Sequence, residues 1–252
     1  MLRSFIQQEL ENFEGKTSIL IKDFNEDDGL FVDKDSTQQV VSASIIKVPI
    51  MLAVFELVQK LEISLDQYIT VNDILPDTNV FEFGQREYSI GELLEWMIIQ
   101  SDNTATNTLI DFIGMSSLNT YFESLGLNQT ILQRKMLDFQ SVQMGKQNYT
   151  SAIDMYRVMS GLYHKTILTP QLCNKAIEIL LRQRYKQCIE RYLYDASVAH
   201  KTGELDNLQH DVGIMFHKQR ACYFGVFTYE CDIEQACRFM GRIGKKLYEE
   251  IR

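Results

Sequence analysis

Strand-like patterns are concentrated near the two ends of this 252-residue chain, and the long middle part carries helical periodicity. The strand patterns cover Thr17 to Phe24, Leu30 to Val32, Val198 to Thr202, Asp211 to Phe216 and Ala221 to Tyr229. From Ile45 to about Leu180 the apolar residues recur at helical spacing. Such a distribution predicts an α+β fold, in which both ends of the chain form one antiparallel sheet and the helical middle is inserted between them.

We expect helices at both termini, around Phe5 to Phe13 and from Ile233 to Ile251, to flank the sheet. The predicted sheet domain comprises residues 1–43 and 195–252, and the predicted all-α insert comprises residues 44–194. The polar stretch from Phe139 to Tyr149, which contains Gly145, is predicted to be a loop. An active site is expected in the cleft between the two domains.

Composition excludes several classes of protein. With 45% hydrophobic and 23% charged residues, the chain is globular, and its net charge of −9 without any Lys/Arg block argues against binding to nucleic acid. The longest apolar stretch, Val48 to Phe55, is too short to span a membrane. Because Met1 to Glu11 contains no apolar signal segment, we expect a cytoplasmic protein, or an exported one if a preceding leader has been removed. We also expect a monomer.

The five cysteines predict neither a disulfide framework nor a metal site. Their number is odd and no C-x-x-C pair occurs, so we expect reduced thiols that mostly pack in the interior. The spacing of His164, His210 and His217 is also unlike that of metal ligands. No metal or cofactor is therefore expected.

Ser44 and Lys47 are the first candidate catalytic pair. Pro49 is tolerated only near the start of a helix, which places Ser44 at or just before the first turn. Residues three apart share a helix face, so the Lys47 amine can reach the Ser44 oxygen and accept its proton if its own pKa is lowered. Taken alone, such a pair is more often a helix-capping serine and a solvated lysine.

Two tripeptides further along the chain strengthen the catalytic hypothesis. Residues Ser101 to Asn103 lie between two predicted helices, where they are typical of a helix N-cap but also offer a hydroxyl and an amide to a substrate. Lys201 to Gly203 follow His200 on a predicted strand, and a glycine there permits close approach of a ligand. The chance of both tripeptides in one chain is on the order of one in several hundred.

In this order, the three motifs resemble those of the class A β-lactamase and penicillin-binding-protein superfamily of active-site serine enzymes. The resemblance covers nearly the whole chain, and it implies the same β-lactamase-like α+β fold. It also implies that Ser44 is the acylated nucleophile, that Lys47 is its partner on the helix, and that Ser101 is the proton shuttle.

The resemblance further implies the residues that bind substrate. Asn103 would donate from its amide, and Lys201 with Thr202 would bind a substrate carboxylate, next to Gly203. The oxyanion hole would consist of the backbone N–H groups of Ser44 and Glu204.

One position departs from the class A pattern. Residues Thr130 to Arg134 reproduce the segment that precedes the deacylating glutamate, but Met136 occupies the glutamate position itself. Asp138, two residues further on, is a possible substitute. If Asp138 does not reach the hydrolytic water, the acyl-enzyme persists.

The sequence therefore predicts a serine hydrolase that is acylated at Ser44 by a small molecule, either a β-lactam or a related amide or ester that carries a carboxylate. Deacylation is expected to be slow because the usual glutamate is absent. Two alternatives remain open: a penicillin-binding-protein-like D,D-carboxypeptidase or esterase, and a sensor or binding protein that is acylated without turnover.

Overall fold

A computed structural model describes residues 2–25, 29–76, 78, 81 and 86–252. The helices are α1 (Leu2–Glu11), α2 (Lys47–Gln59), α3 (Ile90–Ile99), α4 (Asn103–Ile113), α5 (Met115–Ser124), α6 (Phe139–Gln143), α7 (Ala152–Tyr163), α8 (Pro170–Leu181) and α9 (Ile233–Ile251). The strands are β1 (Lys16–Asp23), β2 (Leu30–Lys34), β3 (Val40–Val41), β4 (Tyr68–Thr70), β5 (Glu87–Ser89), β6 (Tyr149–Thr150), β7 (Ser197–Leu205), β8 (Leu208–His217) and β9 (Arg220–Tyr229).

The main sheet is built from both ends of the chain. Its strand order is β2-β1-β9-β8-β7, and every neighbouring pair is antiparallel. The first strand, β1, therefore pairs directly with the last one, β9, and β7 lies at an edge. The predicted antiparallel sheet from both termini is confirmed.

The two faces of the sheet pack against different layers. Helices α1 and α9 cover one face, where residues such as Ile6 and Phe239 join Phe224 of β9 in an apolar cluster. On the other face Tyr223 packs with the helical part of the chain and donates a hydrogen bond from its hydroxyl to the Ala152 carbonyl, at 2.7 Å. Alternation along the strands thus places successive side chains in two separate cores.

Helix α2 occupies the centre of the helical part. Every side chain from Lys47 to Phe55 is buried. A helix that is apolar on all sides belongs inside a protein, so the longest apolar stretch of the sequence forms the interior of this layer. Its one cation, Lys47, is thereby carried into the core.

The region predicted as all-helical also contains short strands. Within residues 44–194, β4 pairs with β5, and β6 pairs with β3, which precedes this region, so residues 44–194 are not purely α. Two- and three-residue strands have too few positions to show a period in the sequence. The domain boundaries at 43/44 and 194/195 stay predictions.

Two helices also lie outside the sequence-based prediction. Helix α6 lies within the segment predicted as a loop, and it begins because the Asp138 side chain caps its first turn. Helix α8 begins with Pro170 after the Thr169 cap, a start signal that the apolar pattern alone did not reveal. Within the described ranges, no helix is both long and apolar enough to cross a membrane.

Candidate active site

Ser44 lies in a tight turn that leads into a buried helix. A 3-10 turn over Ala43–Ile46 precedes α2, so the serine stands at the helix start, as Pro49 predicted. The preceding residue, Ala43, has a φ of 44°, a left-handed conformation that is costly for alanine. Strained backbone of this kind is frequent at functional sites.

Lys47 directs its amine toward the turn between α3 and α4. Its Nζ donates to the backbone oxygen of Ser101 at 2.5 Å and to the Asn103 Oδ1 at 2.7 Å, and it lies 3.2 Å from the Ser101 Oγ. The side chain is fully buried. These oxygens compensate the amine for the water that burial removes.

The turn that carries Ser101 both caps helix α4 and contributes a hydroxyl to the candidate site. Asp102 caps α4 by accepting from the Ala105 N–H at 2.8 Å, which is the capping role typical of this tripeptide. Ser101 has a φ of 56°, and its hydroxyl meets the amine of Lys47. The helix-cap and the catalytic interpretations therefore apply to different residues of the same tripeptide.

Lys201 reaches the same hydroxyl from the sheet. Its Nζ donates to the Ser101 Oγ at 3.0 Å and to the Thr202 carbonyl at 2.7 Å, and its side chain is fully buried. Burial lowers the pKa of Lys201 well below its ordinary value, and the nearby charge of Lys47 lowers it further, against a smaller opposing effect of Asp211. Two lysines from different layers thus meet at one serine oxygen.

A cavity of about 440 Å³ opens in front of this cluster. It is lined by Ser44, Gln100, Ser101, Asp102, Asn103, Tyr185, Gln187, Thr202 and Glu204. Lys201 lies behind Ser101 and is not part of the lining, whereas its neighbour Thr202 is. The structure thus brings the predicted serines, Asn103, Thr202 and Glu204 to one cavity.

Gly203 brings the edge strand close to the serine. A Cβ at this position would lie 3.1 Å from the backbone nitrogen of Ser44, which is tighter than nine in ten real Cβ contacts. A glycine therefore lets β7 pass directly beside the Ser44 amide. Ser44 and Glu204, the next residue of β7, line the same cavity, so their backbone N–H groups lie close to one another.

Asp138 is engaged in capping. Its carboxylate accepts from the Ser141 hydroxyl at 2.6 Å and from the Ser141 N–H at 3.0 Å, and these bonds hold the pKa of Asp138 below its usual value. A second cavity next to Ser44, of about 120 Å³, is lined by Met136 and Leu137 and not by Asp138. Asp138 is not among the residues that line either of these two cavities, although its neighbour Leu137 is.

A buried ionic cluster behind β7 was missed by sequence reasoning. His200 lies between two carboxylates, with Nδ1 2.7 Å from the Asp211 Oδ1 and Nε2 2.9 Å from the Glu190 Oε1. Asp211 also accepts from the Ile189 N–H at 3.1 Å. An aspartate within the apolar strand β8 was the one sequence signal that could have indicated this cluster.

The carboxylates determine the charge of His200. Burial by itself would lower the pKa of the imidazole, but Asp211 and Glu190 outweigh it and raise the pKa of His200 to about 9. The cluster therefore holds an imidazolium at neutral pH.

In the part of the chain that the structure describes, no group of His, Cys, Asp and Glu has the arrangement of a metal site.

Comparison with known proteins assigns the family. The profile of the beta-lactamase enzyme family matches residues 1–251. The chain belongs to this family. It is a serine β-lactamase-like hydrolase, as the sequence predicted.

Similar proteins agree with this assignment. A beta-lactamase of Bacteroides uniformis is 24% identical over 239 residues, which cover 83% of this β-lactamase-family chain and 78% of the relative. The crystal structure of a beta-lactamase from Sphaerobacter thermophilus DSM 20745 has a TM-score of 0.88 at 24% identity, with 99% and 96% of the two chains covered. A mutant of PBP-A, solved as an acyl-enzyme complex with penicillin G, has a TM-score of 0.88 at 24% identity, with 99% and 95% covered. These structures confirm the predicted β-lactamase-like fold.

The imidazolium of His200 predicts how the stability of the enzyme depends on pH. Because its folded-state pKa of about 9 lies above the unfolded value of 6.5, its contribution is complete below pH 6.5 and is lost as pH rises through 9. Urea unfolding should therefore show the free energy of unfolding falling by up to about 3 kcal/mol across this interval. A His200→Asn variant should show a flatter dependence, and an equal slope in both proteins would contradict the assignment.

Proposed function

We propose that this enzyme opens β-lactams through an acyl-enzyme at Ser44 and releases the product slowly. One observation carries the proposal: Ser44 stands at a cavity wall, one helical turn before Lys47, and two lysines converge on the hydroxyl of Ser101. A serine hydroxyl needs a nearby base to become a nucleophile, and this arrangement supplies one.

Acylation begins with attack of the Ser44 Oγ on the substrate carbonyl. Lys47, on the same helix face, accepts the hydroxyl proton, and it must be neutral at that moment. The backbone N–H groups of Ser44 and Glu204 stabilise the negative charge that develops on the carbonyl oxygen. The close passage of β7 at Gly203 supports this pairing of amides.

Ser101 then donates its proton to the leaving nitrogen and takes up the proton that Lys47 accepted from Ser44, which returns the Lys47 amine to its neutral form. The Ser101 oxygen has two lone pairs and lies within hydrogen-bond distance of both lysine amines, so its own proton remains available for the substrate. The lowered pKa of Lys201 keeps a second full positive charge away from Lys47. We therefore assign Lys201 to the positioning of Ser101.

Substrate recognition falls to residues on the cavity wall. Asn103 accepts from Lys47 through its Oδ1, and we assign its NH₂ group as donor to a substrate carbonyl. The resemblance assigned the substrate carboxylate to Lys201 and Thr202 together. The burial of Lys201 and the position of Thr202 favour the Thr202 hydroxyl as the direct contact.

Deacylation lacks an obvious base. Met136, in the glutamate position of the class A pattern, lines the cavity beside Ser44, and Asp138 is bonded to Ser141. A thioether cannot activate water. The absence of a base at this position favours a long-lived acyl-enzyme. It is also compatible with the carboxypeptidase or esterase alternative, since such enzymes need not deacylate a β-lactam rapidly.

The nucleophile is tested by substitution. Ser44→Ala should abolish labelling by a fluorescent penicillin and lower the hydrolysis of a chromogenic cephalosporin by about 10³-fold or more. Ser116→Ala, an exposed serine on α5, should behave as wild type. Labelling that survives in Ser44→Ala, or that maps to Ser101, would show that the nucleophile is misassigned.

Thr202 and Lys201 are separated by their kinetic parameters. Thr202→Val should raise KM for a β-lactam that carries a carboxylate by about tenfold, because a hydrogen bond to a charged group is lost, and leave KM for a neutral ester nearly unchanged. Lys201→Ala should slow acylation of both substrates, measured as the rate of the burst phase and as kcat/KM, since it acts through Ser101. If Lys201→Ala instead affects only the carboxylate substrate, Lys201 is the anchor.

The slow step is tested by a burst experiment. Wild-type enzyme should open about one equivalent of β-lactam quickly and then turn over slowly, because deacylation has no positioned base. Met136→Glu should accelerate the slow phase, and Asp138→Ala should leave it nearly unchanged. Rapid wild-type turnover that Asp138→Ala stops would identify Asp138 as the working base.

A further inference from the structure

Two cysteines that the sequence treats as unrelated lie together in the interior. The Sγ atoms of Cys188 and Cys237 are 3.4 Å apart, and both residues are buried, at 0% and 2% exposure. Both thiols are free. Cys188 belongs to the segment between α8 and β7, whereas Cys237 lies on α9. The chain separates them by 49 positions, so only the fold brings them into contact.

The backbones that carry these thiols are held unusually close. Cys237, Gly241 and Gly244 share one face of α9, at the i, i+4, i+7 spacing. A Cβ at Gly244 would lie 2.1 Å from the Ile189 carbonyl oxygen, so α9 contacts this segment backbone to backbone. Larger residues would force the two elements apart. The two glycines therefore allow the close approach that brings the Cys188 and Cys237 sulfurs into contact.

An ion pair stabilises the same junction at the surface. The Arg191 guanidinium meets both carboxylate oxygens of Glu234, at 2.7 and 3.2 Å. Bidentate pairs of this kind fix orientation as well as distance. The cysteine pair therefore sits between a glycine contact on one side and a bidentate ion pair on the other, with little freedom to separate.

We propose that Cys188 and Cys237 are a site of oxidative modification, at which a peroxide converts the thiol pair into an intramolecular disulfide. A disulfide needs its sulfurs about 2.05 Å apart, so the pair must close by somewhat more than 1 Å. Since the thiols already touch, rotation of the side chains accounts for much of this change.

The chemistry proceeds in two balanced steps. The hydrogen bond from the Cys188 thiol lowers the pKa of Cys237, which makes Cys237 the attacking group. Its thiolate attacks one peroxide oxygen, the O–O bond breaks, and a sulfenic acid and hydroxide form. The Cys188 sulfur then attacks the sulfenic sulfur, the S–O bond breaks, and water leaves after taking up the thiol proton. In sum, two thiols and one hydrogen peroxide give one disulfide and two waters.

The bond would have a mechanical consequence near the active site. Gln187, next to Cys188, lines the cavity in front of Ser44. A disulfide would tie this wall to α9 and close a loop of about 50 residues, which restricts the unfolded chain. Oxidation should therefore raise the melting temperature by about 5 °C or more. Formation of this disulfide does not depend on which substrate the enzyme hydrolyses.

The test is a thiol count on the folded 252-residue enzyme. After treatment with hydrogen peroxide and removal of the oxidant, the protein is denatured in N-ethylmaleimide and weighed intact. Reduced enzyme should carry five maleimides, one for each cysteine, and oxidised enzyme should carry three. Because Cys222, Cys231 and Cys237 share one tryptic peptide, digestion combines trypsin with cleavage after glutamate. The expected linked product joins Gln187–Glu190 to Gln235–Arg238.

Variants supply the controls. Cys173→Ser removes a buried cysteine on α8 and should oxidise as wild type does, with the same linked peptide and the same rise in melting temperature. Cys188→Ser should show neither, and Cys188→Ala should repeat that result without adding a hydroxyl. The mapping on wild-type enzyme needs no variant, so it stands even if a substitution impairs folding.

Three results would overturn the proposal. The first is that all five thiols still react with maleimide after peroxide treatment. The second is that Cys237 is linked to Cys231, or oxidised to a sulfinic or sulfonic acid without a link. The third is that the disulfide forms only when the enzyme has first been unfolded in urea.

Discussion

The hydroxyl of Ser101, held between two buried lysines, is the interaction on which the site depends. Lys47 comes from the central helix of the helical part, Lys201 from the edge strand of the sheet, and Ser101 from a turn with a left-handed backbone. Burying two lysine amines is costly, and the backbone and side-chain oxygens that accept their hydrogen bonds offset that cost here. The same contacts that join the two parts of the chain therefore create the cluster that we assign to catalysis.

A buried ionic cluster stabilises the edge strand β7 on the side of the strand opposite Lys201. The imidazolium of His200 between Glu190 and Asp211 attaches β7 to the segment that also supplies Gln187 to the cavity wall. Asp211 acts on both layers, because its charge also opposes the lowering of the pKa of Lys201. Successive side chains of β7 point to opposite faces of the sheet, so Lys201 faces the site and His200 faces the carboxylates of Glu190 and Asp211.

The sequence predicted those features that depend on local apolar periodicity and on short motifs. Helices α3 and α9 have the predicted ends, and the order of the motifs identified the family. The Glu190–His200–Asp211 cluster and the Cys188–Cys237 contact depend on residues far apart in sequence, and no local period reveals them. The position of Asp138 in the sequence makes it a candidate base. In the structure its carboxylate accepts hydrogen bonds from Ser141 and caps the short helix α6. Likewise, only burial shows that Lys201 lies behind the cavity wall.

The state of Lys201 is the most direct test of this account, and it can be observed by ¹⁵N NMR of the lysine amines. Enzyme with ¹⁵N-labelled lysine is titrated, and the signal that disappears in Lys201→Arg is followed. We expect this amine to be neutral at a pH at which the surface lysines are still fully protonated, because burial and Lys47 disfavour its charge. A Lys201 amine that titrates together with the surface lysines would contradict it.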